Sequence, residues 1–224
     1  MEIHVWRYSD VSTNGNVAQD RKILSPDELM RAARYRSERD QIRFITSRSW
    51  LRRILAAYVG RDPASLAFRV SRFGKPMLED PSAPYFNLSH SHELAVCGVA
   101  GQSLGVDVEY VRPMPDALDI ARHFFSPAEI CALGTLPAYD LDAGFFRCWT
   151  RKEAFIKAIG FGLSMPLDSF SVSLDRDCAH FLQCSGSSRL SQWRLLNLRV
   201  SDQYAGAIAV RRGPQEDLRI IEMN

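Results

Sequence analysis

The order of strand-like and helix-like segments limits this 224-residue chain to few folds. Residues 2–8, EIHVWRY, alternate in polarity and predict a first strand. Residues 24–60 predict one or two helices, because a Ser-Pro-x-Glu capping signature opens the segment and a glycine closes it. Residues 65–78 then predict a short strand with a turn, and residues 84–111 predict two buried strands. The first half therefore combines helices with a sheet.

The second half repeats this alternation of helices and strands. Residues 118–162 are patterned as helices, with another Ser-Pro-x-Glu cap at residues 126–129. Helices between groups of strands in both halves indicate an α+β protein, divided into residues 1–104 and residues 105–224. The tail returns to strand-like alternation in three segments: FSVSL (170–174), WRLLNLRV (193–200) and YAGAIAVRR (204–212).

Composition removes several classes of protein. A content of 46% hydrophobic and 24% charged residues is that of an ordinary soluble protein and excludes disordered and fibrous classes. A net charge of +2 lacks the basic excess of a nucleic-acid binder. The N-terminus has no signal pattern and the chain has no run of about 18 apolar residues, so we expect a cytoplasmic protein that does not bind membranes.

The cysteines do not favour a zinc site or a disulfide framework. They are odd in number, contain no C-x-x-C spacing and lie mostly within apolar runs. Reduced thiols in the core are therefore the prediction for all five, which are Cys97, Cys131, Cys148, Cys178 and Cys184.

The segment WTRKEAFIKAIGFG, residues 149–162, is patterned as an amphipathic helix that ends at a glycine. At about 100° per residue its apolar side chains form one broad arc, with Glu153 and Lys157 side by side at the edge of that arc. Two interpretations stay open. The pair is either an exposed ion pair that stabilises the helix by roughly a few tenths of a kcal/mol, or a half-buried pair whose protonation the surroundings tune for chemistry.

Two carboxylates share one face of a predicted strand. The period of two in LGVDVEYV puts Asp107 and Glu109 roughly 7 Å apart on the face opposite Val106 and Val108. One interpretation is a polar strand face exposed to water. The other is a cation site, because Mg²⁺ prefers carboxylate oxygens completed by waters and phosphates.

A hydroxyl and an imidazole stand in the segment FNLSHSHELAV. Ser89 and His90 are candidates to donate hydrogen bonds to a phosphate, whereas a simpler interpretation makes His90 or His92 the cap of a turn. No Ser-His-Asp arrangement is evident, so the sequence gives little support to acyl-enzyme chemistry.

Arginine dominates the positive charge of the first predicted helices. Many of these arginines would be explained as the solvent-exposed face of a helix. The preference for arginine over lysine also suits bidentate binding of phosphate groups. Arg72 and Lys75 follow in the SRFGKP turn. The eight arginines are Arg31, Arg34, Arg36, Arg39, Arg43, Arg48, Arg52 and Arg53.

The order and spacing of these motifs resemble the Sfp-type 4′-phosphopantetheinyl transferases over nearly the whole chain. The W-T-x-K-E-A-x-x-K form is similar to the Sfp subgroup rather than to the short acyl-carrier-protein synthases. The helix LSPDELMRAARY, the turn FGKP and the segment MPLDSFSV add to the resemblance. The four segments that carry it are FNLSHS (86–91), GVDVEYV (105–111), ARHFFSPAE (121–129) and CWTRKEAFIKAIGFGL (148–163).

The resemblance implies both a fold and an activity. The implied fold is two similar α/β halves related by a pseudo-twofold axis, with the cofactor in the cleft between them. The implied enzyme is a monomer that transfers the phosphopantetheine arm of coenzyme A to a serine of an apo acyl or peptidyl carrier protein. The reaction releases 3′,5′-ADP and depends on Mg²⁺, for which Mn²⁺ is a substitute.

The resemblance also implies roles for individual residues. Asp107, Glu109 and Glu153 become the metal ligands, and Asp107, Glu153 and Lys157 the catalytic residues, with Lys157 as phosphate contact and proton donor. Glu28 stands where some members have a basic residue for the ribose 3′-phosphate. That departure makes arginines the expected substitutes, so the implied coenzyme A contacts are Arg31, Arg43, Arg72, Lys75, Ser89, His90 and Lys157.

The carrier is expected to dock near residues 112–130, where the family meets its carrier. Ile120, Phe124 and Phe125 in this region are either docking residues or core residues, since large aromatic side chains are usually buried. The main rival function is a non-catalytic module that binds coenzyme A or another nucleotide, and release of 3′,5′-ADP on adding an apo carrier separates the two. The sequence leaves open the physiological carrier and the tolerance for acyl-coenzyme A.

Overall fold

The computed structural model describes residues 1–9, 16–182, 190–212 and 217–223. Cys184, one of the predicted core thiols, lies outside these residues. Cys97 and Cys148 are buried as predicted, but the prediction is wrong for Cys131 and Cys178, which are exposed. Within the described residues, no helix is long and apolar enough to cross a membrane.

In the described part of the first half there are three α-helices and five strands. The longest of these helices follows the N-cap Ser37 and ends at Gly60, whose φ of +64° suits a glycine. In chain order the elements are β1 (Glu2–Ser9), α1 (Val17–Lys22), α2 (Pro26–Ala32), α3 (Glu38–Val59), β2 (Phe68–Val70), β3 (Pro76–Leu78), β4 (Tyr85–Ser91) and β5 (Leu94–Ala100).

The second half holds three helices and four strands among the described residues. The helix that follows Ser126 begins, like α2, with the capping box predicted from Ser-Pro-x-Glu. The elements are β6 (Leu104–Tyr110), α4 (Ala117–Phe124), α5 (Pro127–Gly134), α6 (Leu141–Ile159), β7 (Trp193–Asn197), β8 (Tyr204–Arg211) and β9 (Arg219–Met223). The predicted α+β class is confirmed.

Several details differ from the sequence predictions, among them the unpredicted helix α1 and a second short strand, β3, within residues 65–78. Residues 84–111 form three strands rather than two, because the chain also turns at His92, which adopts a φ of +55° between β4 and β5. Residues 170–174 form only an isolated bridge, since the Val172 amide donates to the Glu129 carboxylate instead of to a neighbouring strand. The unpredicted strand β9 pairs parallel with β1.

Two sheets stack face to face between layers of helices. The first has the order β4-β5-β1-β9 and the second β6-β8-β7. Ile3, Val5, Val106 and Ile208 belong to a buried apolar cluster between the sheets, whereas other clusters join α3 to the first sheet and α6 to the second. Each half thus places one long helix on a sheet, in keeping with the two similar halves that the resemblance implies. The division at residue 104 stays a prediction.

Strands β4 and β6 connect the two sheets without a backbone ladder. Alternate side chains of β4, namely Asn87, Ser89 and Ser91, accept hydrogen bonds from backbone N–H groups of β6 at 2.8, 3.3 and 3.0 Å. Since side chains of a strand share a face at every second residue, this contact fixes the register between the halves. It places the end of β4 beside Asp107 and Glu109.

A close approach of helix α6 to β6 completes this framework. A Cβ atom at Gly105 would lie 2.1 Å from the carbonyl oxygen of Ala154 and 2.4 Å from the amide nitrogen of Ala158. Only glycine allows the helix backbone to come this near to the strand. The side chains of α6 therefore reach the carboxylates of β6.

Candidate functional site

Helix α6 presents its polar edge to the junction between the halves. Its apolar arc packs in the core as predicted, while Glu153 and Lys157 are half-buried at the helix edge. The Lys157 ammonium does not pair with Glu153; it lies 2.5 Å from Asp107 Oδ1 on β6. The interpretation as an exposed helix ion pair is therefore wrong.

Asp107 is the buried centre of the site. Its side chain is only 4% exposed, and its Oδ1 accepts hydrogen bonds from Ser89 Oγ at 2.9 Å and from Lys157 Nζ. Burial raises the pKa of Asp107, and the positive charge of Lys157 opposes that rise. The other oxygen, Oδ2, is buried without a hydrogen-bond partner in the described protein. A buried acceptor without a partner is costly unless something else binds it.

Two further carboxylates, Glu109 and Glu153, interact electrostatically with Asp107. Glu109 accepts a hydrogen bond from Ser91 Oγ at 2.7 Å, and burial followed by the charge of Asp107 raises its pKa. Burial also raises the pKa of Glu153, and the charges of Asp107 and Glu109 add to the effect. The pKa values of all three carboxyl groups are raised, which indicates that the surrounding protein compensates their negative charge only in part. The predicted convergence of the three acids on one region is consistent with these interactions.

The chemistry of this donor set fits a divalent cation. Carboxylate oxygens are the preferred ligands of Mg²⁺, three acids face one ammonium, and Asp107 has a free buried oxygen. Across the described residues, no three His, Cys, Asp or Glu side chains already form a finished metal-binding group. Ion binding would therefore require side chains to rotate, since Asp107 Oδ1 and Glu109 Oε2 are engaged in internal bonds.

A cleft of about 890 Å³ lies between α2, α3 and the separate antiparallel pair of strands β2 and β3. Arg31, Arg43 and His90 line it as the resemblance implies. Partial burial, then the charges of Arg43 and Lys157, lower the pKa of His90. Arg72 is not among the lining residues, because its guanidinium packs over the Phe73 ring at 5.5 Å. The cleft is also lined by Arg48, Arg52 and Arg69. Arg48 and Arg52 belong to the run of eight arginines in residues 31–53, whereas Arg69 does not.

Glu28 acts in the structure as an anchor for two arginines. Its carboxylate bonds to Arg48 and, at 2.8 Å, to Arg52, and it also accepts from the Ser25 amide in the capping box. Arg48 is in addition stacked over the Phe68 ring at 4.2 Å. The acid at this position therefore fixes cations at the wall of the cleft. The sequence showed an acid at position 28 but did not predict Arg48 and Arg52 as its partners, because these arginines lie on another helix.

Lys75 and Ser89 are near the site but are already bonded within the protein. Lys75 Nζ donates to the carbonyl oxygens of Leu104 at 2.8 Å and Ala158 at 3.0 Å, and burial lowers its pKa to about 8. Ser89 bridges Asp107 and Lys157. Both residues thus hold the two halves together, and the structure shows neither with a side chain free in the cleft.

A smaller pocket adjoins the cleft and reaches Glu153. It has a volume of about 230 Å³ and is lined by Lys75, Glu153 and Lys157, among others. Gly74 and Asn87 line both this pocket and the large cleft. A ligand held by the arginines could therefore reach Glu153 and Lys157 along a continuous surface. Asn87 was not among the residues predicted for the site.

Two family models match consecutive parts of the chain. Residues 12–103 match the model described as 4′-phosphopantetheinyl transferase, N-terminal, and residues 103–209 match the 4′-phosphopantetheinyl transferase superfamily. Together they cover most of the sequence.

Individual proteins agree with these family models. The chain is 37% identical to the 4′-phosphopantetheinyl transferase HetI of Nostoc sp. strain PCC 7120, over 93% of this chain and 87% of that protein. It is 33% identical to the 4′-phosphopantetheinyl transferase Sfp of Bacillus subtilis strain 168, over 69% and 68% of the two chains. The protein is therefore an enzyme of the Sfp-type 4′-phosphopantetheinyl transferase family.

Proposed function

We propose that this enzyme moves the 4′-phosphopantetheine group of coenzyme A to a serine of an apo carrier protein and releases 3′,5′-ADP. The observation that supports this most is the continuous surface from the arginine-lined cleft to Glu153 and Lys157. A nucleotide with several phosphates matches the cleft, because guanidinium groups bind phosphate oxygens in pairs. The reacting phosphate would then lie beside the acidic residues.

Each residue at the inner end has a chemical task in this proposal. Glu153 accepts the proton of the serine hydroxyl, whose oxygen forms the new bond to phosphorus as the pyrophosphate bond breaks. Lys157 lies one helical turn away and neutralises charge on the departing 3′,5′-ADP. Asp107, Glu109 and Glu153 would hold Mg²⁺, or Mn²⁺ in its place, which would supply positive charge at the pyrophosphate.

The nucleotide end is proposed to rest on Arg31, Arg43 and His90. Arg31 stacks over the Phe44 ring at 5.3 Å, which orients it at the cleft wall. Arg43 also lines the cleft, and its buried Nε has no hydrogen-bond partner in the described protein, so a ligand that reached this group would satisfy an unpaired donor. Arg72, Lys75 and Ser89, which the resemblance also implied, would need to exchange their present contacts before binding coenzyme A.

The proposed function is tested with an apo carrier, coenzyme A and Mg²⁺. We expect a mass gain of the carrier by one phosphopantetheine and release of an equal amount of 3′,5′-ADP. We expect Asp107→Ala and the closer mimic Asp107→Asn to lose nearly all turnover, and excess chelator to stop the wild-type reaction. Glu222→Gln, an exposed acid on β9, serves as the control variant.

The outcome of this assay also separates the rival function. A non-catalytic binding module would bind coenzyme A without releasing 3′,5′-ADP. Undiminished turnover in excess chelator would remove the metal from the proposal. The cytoplasmic location and the monomeric state expected from the sequence stay predictions.

Carrier docking is proposed at helix α4. Of the three apolar candidates, Phe125 is only 2% exposed and Ile120 packs against the core, so their interpretation as core residues is confirmed. Phe124 is 46% exposed and lies edge-on to Trp149 of α6, with ring centroids 6.2 Å apart. An exposed aromatic side chain this close to the catalytic helix is typical of an interface residue.

We expect Phe124→Ala to raise the KM for the carrier roughly tenfold and to leave the KM for coenzyme A unchanged, because exposed aromatic residues often dominate binding at interfaces. Steady-state transfer rates at varied carrier concentration measure the effect. Tyr85→Ala is the matched control, since Tyr85 is 47% exposed but lies at the start of β4. An equal KM for carrier in Phe124→Ala and wild type would exclude docking at α4.

A further inference from the structure

We propose that Lys157 is the internal counter-ion of the acidic site, and that a divalent cation must displace its ammonium from Asp107 in order to bind. The direct observation is the contact of Lys157 Nζ with Asp107 Oδ1 at 2.5 Å. The inference rests on the proposed function only for the identity of the cation. It assigns to Lys157 a task in metal binding in addition to its task beside the phosphates.

The charge balance of the site requires a counter-ion. Asp107 is nearly fully buried, and an unpaired carboxylate in such a place costs several kcal/mol. Among the described residues, Lys157 provides the one ion pair to Asp107, while Glu109 and Glu153 have none. With three acids and one ammonium, negative charge remains in excess. A divalent cation could thus replace the ammonium and improve the balance.

The two members of this ion pair differ in freedom to move. Asp107 is fixed by the β6–β8 ladder and by the hydrogen bond from Ser89 Oγ. Lys157 belongs to the last turn of α6, three residues before Gly160, and its flexible side chain is 30% exposed. When a cation binds Asp107, the ammonium is therefore the partner that leaves.

The released ammonium has a defined place to go. Lys157 lines the pocket of about 230 Å³ that Gly74 and Asn87 connect to the arginine-lined cleft. There it can contact an anionic ligand in place of Asp107. Cation binding and ligand binding are then coupled through one side chain, because each favours the position of Lys157 that suits the other.

The first test measures binding of Mn²⁺ to the ligand-free enzyme by electron paramagnetic resonance of the free ion. We expect Lys157→Ala to bind Mn²⁺ at least tenfold more tightly than the wild type, because the competing ammonium is gone. Lys157→Arg retains the charge and should bind like the wild type. Asp107→Asn should lose the site in either background. Equal or weaker binding by Lys157→Ala, or no binding by either protein, would overturn the proposal.

The second test follows the position of the Lys157 ammonium. It is needed because removal of a nearby positive charge would tighten cation binding even if the ammonium were never displaced from Asp107. We expect Mg²⁺ to raise the rate at which an acylating reagent modifies Lys157 in the wild-type enzyme, measured by peptide mass spectrometry. Lys152, which is fully buried, is the internal control and should stay unmodified. An unchanged or slower modification of Lys157 would show that the ammonium stays on Asp107, and the inference would then fail.

Neither test depends on transfer activity. An enzyme that binds Mn²⁺ as expected but modifies no apo carrier would contradict the proposed function and leave this inference standing. An active enzyme in which Lys157→Ala binds the ion no more tightly would do the reverse.

Discussion

Glu153→Gln is expected to reduce phosphopantetheine transfer by about 10²- to 10⁴-fold and to leave the fold intact. The amide has nearly the shape of the carboxylate but cannot accept the proton of the serine hydroxyl. Glu153 is half-buried at the edge of α6, outside the apolar core that holds the helix, so its replacement should cost little stability. The mass gain of an apo carrier over time measures the rate.

Two controls sharpen this experiment. Glu222→Gln makes the same chemical change on the distant strand β9, where Glu222 forms an exposed ion pair with Arg7, and it should retain full activity. Glu153→Asp keeps a base at a shorter reach and should fall between the wild type and Glu153→Gln. Wild-type turnover in Glu153→Gln would exclude Glu153 as the base, whatever its effect on the metal.

The sequence predicted the buried faces of β6 and α6 because its signals there are periodic. A strand period of two placed Asp107 and Glu109 opposite Val106 and Val108, and the structure confirms that face by burying the two valines between the sheets. The helical period likewise put the apolar arc of α6 in the core. Periodicity could not predict the ion pair between Lys157 and Asp107, because these residues are 50 positions apart in the chain.

Two contacts that the sequence did not predict share one physical cause. Glu28 looked like a departure from a phosphate site, but two arginines from helix α3 make it an ion-pair anchor. Lys75 looked available for coenzyme A, but the carbonyl groups of Leu104 on β6 and Ala158 on α6 bind its ammonium. In both cases the packing of elements that are distant in sequence decides what the side chain can do, and local patterns do not contain that information.

The same limit applies to Lys152, which lies next to Glu153 in the sequence but faces the interior of the protein. Its ammonium contacts Glu129 Oε2 at 2.7 Å, and both side chains are fully buried. It also donates to the carbonyl oxygens of Leu167 and Phe170, each at 2.7 Å. This network attaches α6 to α5 and to the segment that follows α6.

Glu129 gives this ion pair a second function in the fold. Its carboxylate accepts from the backbone amides of Ser126 at 2.8 Å and Val172 at 2.7 Å, in addition to the contact with Lys152. One buried acid thus caps helix α5, accepts the backbone N–H of Val172 and neutralises Lys152 of helix α6. Loss of the lysine would leave this carboxylate buried with its charge uncompensated.

Lys152→Met is therefore expected to lower the free energy of unfolding by about 3–5 kcal/mol, the usual cost of removing one member of a buried ion pair. Urea unfolding followed by circular dichroism measures the change. Lys152→Met combined with Glu129→Gln removes both charges and should recover part of the loss, which separates charge imbalance from lost packing. A decrease below about 1 kcal/mol for Lys152→Met would contradict this role. Since Lys152 and Glu153 are adjacent on α6, the buried pair also fixes the rotation of the helix that leaves Glu153 half-buried at its edge, where the charge of Asp107 raises the pKa of Glu153.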